Sequence, residues 1–337
     1  MDVVSDAISA VRLGHPTSHR VWPAGRWQAR RERYEGAGFY VVLAGGCRLL
    51  PDGDGPPVVL GAGDAVLLPH GTGHVLADAR ASEGRAAATR RAVPFARWAA
   101  ANGTRTEASR APGAADPTEI LCGTYRLDCS RLHPLLVELP EVVHLPSRIG
   151  AHPELRSAIE LLAGELDQTR PGSCVALPSL LDLLLVYLIR SWLAEATGGA
   201  WPRALSDPVT AAALRALHGD PAAPWTADRL AAEAGVSRPT LARRFGALVG
   251  RPPMAYLTWW RLILAASRLR ESGDTLASVA ERVGYGSPYA LSHAFVREFG
   301  ITPGRYRLRS AARTVVTAPD DPHDPDGRGG PGAAVPG

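Results

Sequence analysis

The sequence predicts an α+β chain in three parts: an N-terminal β-barrel, a helical segment and a C-terminal all-α block with two helix-turn-helix units. Three observations predict it. Short apolar runs in the first third are separated at intervals of about 8–12 residues by Gly, Pro and Asp, which is strand-and-turn punctuation. The period becomes helical from His152. A pattern at Trp225–Phe245 then returns near Leu276–Phe295, an internal repeat with a period of roughly fifty residues.

The 337 residues are enough for more than one core at ~100–200 residues per domain. With 46% hydrophobic and 21% charged residues, the composition is that of a globular protein and excludes a coiled coil, a collagen-like chain and a wholly disordered chain. All 37 basic residues are arginine, and they are unevenly placed. Residues 1–206 carry 21 Arg against 21 acids, residues 207–309 carry 14 against 8, and residues 310–337 carry 2 against 4. A neutral half joined to a basic block suits a regulatory part attached to a polyanion-binding part.

In the barrel, Gly38–Ala44, Cys47–Leu50, Val58–Leu60, Ala65–Leu68 and Glu119–Leu127 read as strands separated by turns such as Pro51–Pro56. Residues 78–118, rich in Ala, Arg, Gly and Pro, read as a long mobile insertion within a sensor domain spanning 1–150. Leu155, Ile159, Leu162 and Leu166 then mark one face of a helix. A second helix near Leu177–Ala196 is apolar on several sides, as in a core helix or a homodimer interface through 151–200. Thr197–Pro202 closes the 151–206 segment as a linker, and the tail 310–337 is expected to be disordered. Asp182 and Arg190 interrupt the stretch Leu177–Leu193, which reads as too short and too charged for a membrane span. The Met1–Asp6 start lacks signal-peptide character, and four cysteines form no dense disulfide framework. Both features point to a cytoplasmic protein with no membrane partner.

The block 207–309 carries the sharpest signal. Thr226 caps a short helix, Gly235 turns the chain, and Ser237 caps a second helix with Pro239 in its first turn. Leu241, Phe245 and Leu248 form the buried face, which leaves Arg238, Pro239, Thr240, Ala242, Arg243 and Arg244 outward. Ala280–Phe295 repeats the plan, with Gly284 as the turn and Ser287, Tyr289, Ser292, His293 and Arg297 on the second outward face. The stretch Ala280-x-x-Val283-Gly284-Tyr285-x-Ser287-x-x-x-Leu291-Ser292-x-x-Phe295-x-x-x-Phe299-Gly300-x-Thr302-Pro303-x-x-Tyr306-Arg307 resembles the signature of the AraC/XylS family of transcription regulators. The resemblance implies that one protomer places two recognition helices in successive major-groove segments of double-stranded DNA. It also assigns base reading to Pro239, Ala242, Arg243, Tyr289 and His293, with Arg243 suited to a bidentate guanine contact.

Gly63–His74 fits the second cupin motif, G-x5-P-x-G-x2-H, at every fixed position. It resembles the cupin-type sensor domain that often precedes this helix-turn-helix pair. The first cupin motif would supply a His-x-His pair and a Glu, but residues 36–50 hold no His or Glu, so an enzymatic three-histidine centre is not expected. His70, His74 and Cys122 could instead hold Zn²⁺ or another divalent ion, with His133 or His144 as a fourth ligand. A redox pair of Cys122 with Cys129 or Cys47 is an alternative, and Cys174 reads as inert. The function implied is a sequence-specific DNA-binding regulator, not an enzyme, sensing a small-molecule effector, a metal or a redox signal. The competing reading is a metal-dependent cupin enzyme with an accessory DNA-binding domain.

Overall fold

The structure is a computed structural model that describes residues 2–80, 85–104, 118–128, 132–167 and 170–316. The chain begins with helix α1 (Val3–Val11), whose Asp2 side chain accepts from the Val4 and Ser5 N–H groups, a standard N-cap. The strands follow: β1 (Thr17–Val21), β2 (Gln28–Arg31), β3 (Ala37–Ala44), β4 (Gly46–Pro51), β5 (Val58–Gly61), β6 (Ala65–Leu68) and β7 (His74–Asp78). After α2 (Arg85–Arg91), β8 (Val93–Pro94) and α3 (Phe95–Asn102) come β9 (Glu119–Tyr125), α4 (Pro134–Val137) and β10 (Val143–Leu145). Two five-stranded sheets result, ordered β1-β9-β3-β6-β10 and β5-β4-β7-β2-β8.

The central strands of the first sheet, β9, β3 and β6, are buried on both faces, which explains their nearly continuous apolar runs. Tyr40, Val42, Val66, Leu68, Ile120 and Cys122 point into a core shared with Cys47, Leu49 and Leu76 of the second sheet. The alternate residues Phe39, Val41, Leu67, Leu121 and Tyr125 face the opposite way and join the helical core. Strand periodicity of two makes this division unavoidable once one face is fixed.

The helical part comprises α5 (Pro153–Asp167), α6 (Ser173–Glu195), α7 (Ala200–Ser206), α8 (Pro208–Gly219), α9 (Ala227–Glu233), α10 (Arg238–Val249), α11 (Pro253–Glu271), α12 (Leu276–Arg282), α13 (Pro288–Phe299) and α14 (Pro303–Val316). One core runs without interruption from α1 and the outer face of the first sheet through α5–α8 into α9, α10 and one side of α11. The other side of α11 packs with α12–α14 in a separate core around Leu291, Phe295 and Tyr306. The first helix-turn-helix is thus continuous with the barrel half, and the second has a core of its own.

Several expectations need correction. Residues 78–118 are not wholly an insertion without structure: α3 buries Phe95, Trp98 and Ala99 in the barrel core, while 81–84 and 105–117 lie outside the described residues. The supposed linker contains α7, with Trp201 buried against His133. The helix read as too short for a membrane has 23 residues and is long and apolar enough to cross one. Five of its side chains, Leu181, Leu184, Leu185, Leu188 and Ile189, are instead buried in the protein core. In the tail, α14 extends to Val316, and 317–337 lie outside the described residues.

Candidate nucleic-acid interface and barrel site

The two helix-turn-helix units are built alike. Thr226 and Thr275 each cap the first helix by accepting from the N–H three residues on, at Arg229 and Ser278. Gly235 (φ +66°) and Gly284 (φ +80°) make the turns in the left-handed region. A Cβ at Gly284 would also stand 2.7 Å from the Ala222 backbone, so this turn needs glycine on two counts. Arg261 of α11 donates to the carbonyls of Pro221 and Ala223, fastening the same segment to the helix that joins the units.

On α10, Leu241, Phe245 and Val249 are buried, while Arg238, Pro239, Ala242, Arg243 and Arg244 are exposed and Thr240 is half-buried. Arg243 has no hydrogen-bond or ion-pair partner among the described residues. Arg244 lies 3.5 Å from Asp207, the N-cap of α8, and Arg238 lies 3.9 Å from Asp228. Ser237 occupies the N-cap position of α10, but its hydroxyl bonds to Thr240 instead of a backbone N–H. On α13, Tyr289 is 86% exposed, and His293 and Arg297 are exposed beside a half-buried Ser292. Ser287 accepts from the Ala290 N–H, so its hydroxyl serves as the helix cap.

In the barrel, the Gly63–His74 motif shapes two turns. Asp64 accepts from the N–H groups of Gly61 and Ser147, and at Gly71 (φ +59°) a Cβ would overlap the Tyr34 carbonyl. His74 opens β7 and points inward, fully buried. Its Nδ1 is 2.7 Å from the Thr72 carbonyl and its Nε2 2.7 Å from the Tyr40 hydroxyl. A carbonyl only accepts, so Nδ1–H donates to Thr72 and Tyr40 donates to Nε2. Burial lowers the His74 pKa to about 4, which keeps the ring neutral as this pattern requires.

The structure does not assemble the expected metal site. His70 Nε2 is 2.7 Å from the Leu139 carbonyl, and both nitrogens of His74 are engaged. Burial pushes the Cys122 thiol up to about 12, so without a cation beside it the thiol stays protonated. Among the described residues no group of three His, Cys, Asp or Glu side chains converges on a metal position. The residues present therefore do not fit a divalent ion. His144 lies 3.3 Å from Asp64, and His133 serves elsewhere. For the redox reading, Cys47 and Cys122 are free, buried thiols, Cys47 also pushed up to about 12 by burial. Cys129 lies outside the described residues, and Cys174 is exposed.

His133 sits in a buried polar chain that sequence reasoning missed. The Leu135 N–H donates to its Nδ1, so Nε2 carries the proton and donates to the Tyr256 hydroxyl at 2.8 Å. Tyr256 then donates to His218 Nε2 at 2.7 Å, and His218 Nδ1–H donates to Asp6 at 2.8 Å. Every member is satisfied. The chain joins α1 and the α4 N-terminus to α8 and α11. A second junction lies beside it: Arg270 of α11 donates to the Ala10 carbonyl, the Asp128 carboxylate and the Tyr306 hydroxyl, and Tyr306 donates to Asp128.

These buried imidazoles set a pH dependence. Burial above all, with the Arg251 charge adding to it, holds the His133 pKa well below 6.5, in the same direction as His74. A base whose pKa is depressed by folding stabilises the fold above its unfolded pKa of about 6.5 and loses that contribution as pH falls toward the folded value. The urea midpoint is expected to fall between pH 6.5 and about 4, and His74→Asn is expected to flatten that slope. An unchanged slope in the variant would contradict the assignment.

A cupin family profile matches residues 2–194, and a helix-turn-helix domain profile matches residues 230–309. The chain is 37% identical to a putative AraC-like transcription regulator of Streptomyces lividans, over 91% of this chain and 98% of that one. The chain belongs to the AraC-like family of transcription regulators. It is also 28% identical to the HTH-type transcriptional regulator MtrA of Neisseria gonorrhoeae, again over 91% of this chain and 98% of the relative. Among solved structures it is similar to the DNA-binding domain of AdpA in complex with a target DNA, at 36% identity. That likeness covers 32% of this chain and 96% of that one, with a TM-score of 0.30. This AraC-family regulator is thus a DNA-binding protein with a cupin-type N-terminal half and C-terminal helix-turn-helix units.

Proposed function

We propose that the barrel half senses a small molecule and thereby controls how the two helix-turn-helix units meet DNA, through α10 and α13. The packing continuity between the barrel half and the DNA-binding half carries this reading. The core that starts on the sheet's outer face continues into the first helix-turn-helix, and the Arg270–Asp128–Tyr306 junction ties the second to the same barrel half. A ligand that favours one arrangement of these contacts shifts the population of DNA-competent protein, provided it binds the two arrangements unequally. This is the role of a regulator and not of an enzyme. It places the protein in the cytoplasm, where the DNA is.

Base reading is assigned to Pro239, Ala242, Arg243, Tyr289 and His293, with Arg238, Thr240, Ser292 and Arg297 beside them. Arg244 and Ser287, already engaged within the protein, contribute less. Asp128→Ala, which unlocks Arg270 without touching either outward face, is expected to change duplex affinity at least threefold in a fluorescence-anisotropy titration. An affinity equal to the parent's would contradict control through this junction. We also propose a homodimer through 151–200. Leu161, Val175 and Leu183 of α5 and α6 are exposed apolar side chains on this segment, and such a patch suits a second copy. Sedimentation of the full chain is expected to give a dimer that Leu161→Glu with Leu183→Glu dissociates, and a monomeric parent would refute it.

A further inference from the structure

A cavity of about 910 Å³ lies between the barrel and the α5–α6 hairpin, bounded by β1, the end of β2, α3, β9 and α6. Its walls are largely apolar: Phe95 and Ala99 from α3, Leu166 from α5, Leu177 and Leu181 from α6. Its size is in the upper range of small-molecule sites. At one side stands Arg31, half-buried at the end of β2.

Arg31 is chemically unlike the other arginines around it. Arg20 is paired with Glu119, and Arg30 with Asp52 and Glu32. The Arg31 guanidinium is held between two rings, 4.4 Å from the Tyr34 centroid and 4.7 Å from the Phe95 centroid. Among the described residues no carboxylate forms an ion pair with it. The groups opposite are neutral. His19, Cys122 and Tyr40 form one row across the first sheet, and His74 pairs with Arg31 across the second. Tyr40 gives its proton to His74, so only a neutral oxygen is left toward the cation. Burial and the Arg31 charge lower the pKa of His19, so that ring does not compete as a second cation. A fixed cation without its counterion, beside an apolar chamber, is an incomplete ion pair.

We propose that this cavity is the effector site and that its ligand is an organic carboxylate with an apolar body, its carboxylate paired with Arg31 and its body against Phe95, Leu177 and Leu181. The planar guanidinium fork matches a carboxylate in bidentate geometry, and the aromatic clamp fixes that fork before the ligand arrives. The site also reaches the regulatory elements. Leu181 lines the cavity, and its carbonyl accepts from the Tyr125 hydroxyl at 2.7 Å, so an occupant presses on the joint between the sheet and α6. The proposal rests on the reading of the barrel half as a sensor.

The test is calorimetric titration of the full chain, without DNA, with matched pairs of carboxylate and primary amide. Hexanoate, octanoate and dodecanoate with their amides form the alkyl arm, and phenylacetate and 1-naphthylacetate with theirs form the aryl arm. At least one carboxylate is expected to bind ten times more tightly than its amide, and the arm in which it falls identifies the body. Arg31→Gln should reduce that preference to less than twofold, and Arg31→Lys, which keeps the charge without the planar fork, should retain only part of it. No preference for any carboxylate, no binding by any member, or a preference that survives Arg31→Gln would overturn the proposal. Leu177→Trp, which fills the apolar side, should weaken acid and amide alike. It keeps the test decisive if Arg31→Gln does not fold, because a carboxylate that binds Leu177→Trp as tightly as the parent is seated elsewhere. A carboxylate that binds through Arg31 but leaves duplex affinity unchanged would count against the sensor reading and leave the site standing.

Discussion

Arg243→Ala is expected to weaken binding to a specific duplex by about 1–3 kcal/mol, roughly five- to 150-fold. Arg243 is exposed on α10 with no protein partner among the described residues, so its removal leaves no buried group unsatisfied. The urea midpoint should therefore stay close to the parent's, since surface substitutions of this kind usually cost less than about 0.5 kcal/mol. Specificity should relax at one base position, and the loss on random-sequence duplex should be smaller, because a phosphate contact would weaken all sequences alike. Arg244→Ala is the informative control: its guanidinium already lies against Asp207. Equal losses for the two arginines, on specific and random duplex alike, would mean that α10 contributes only charge. For the parent, affinity should fall steeply with salt as phosphate contacts release counterions.

The second large effect is on stability. Tyr256 is buried where α11 meets the barrel half, and its hydroxyl accepts from His133 and donates to His218. Tyr256→Phe keeps the ring packing against Phe245 and Trp259 but strands a buried donor on one imidazole and a buried acceptor on the other. At about 1–3 kcal/mol for each of the two unsatisfied groups, the expected destabilisation is about 2–6 kcal/mol, read from urea unfolding. A double-mutant cycle with Asp6→Ala should show coupling, since both residues act on His218. Additive losses would mean that the chain of hydrogen bonds does not act as a unit.

Legibility in the sequence followed locality. The strands at β3–β6 and β9 were readable because each is a short apolar run between turn residues, and the Gly63–His74 turns because their glycines and proline are set by local backbone geometry. The helix-turn-helix units were readable for the same reason, and twice over. By contrast β1 is Thr-Ser-His-Arg-Val, polar at four of its five positions, and β10 is only three residues long, so neither gives an apolar periodic signal. Helix α3 buries only Phe95, Trp98 and Ala99, too few in an Ala-rich segment to stand out.

The barrel site was half legible. The motif located the turn that leads into His74, but the partners of this ring decide its chemistry: Tyr40 comes from the opposing sheet and Thr72 from a turn. His133 read as a spare ligand because nothing near it in sequence reveals Asp6, His218 and Tyr256. The missing counterion of Arg31 is likewise a property of folded geometry: Arg30, Arg31 and Glu32 are adjacent in sequence, and only the fold shows that Arg30 takes the acids.

The measurement that tests the central claim most directly is hydroxyl-radical footprinting of the full chain on a duplex selected from random sequence. Two protected segments per protomer are expected on one face of the DNA, about one helical turn apart. Arg243→Ala should weaken one segment, and Tyr289→Ala with His293→Ala the other. A single protected segment, weakened by only one of these variants, would contradict the claim that both helix-turn-helix units read DNA.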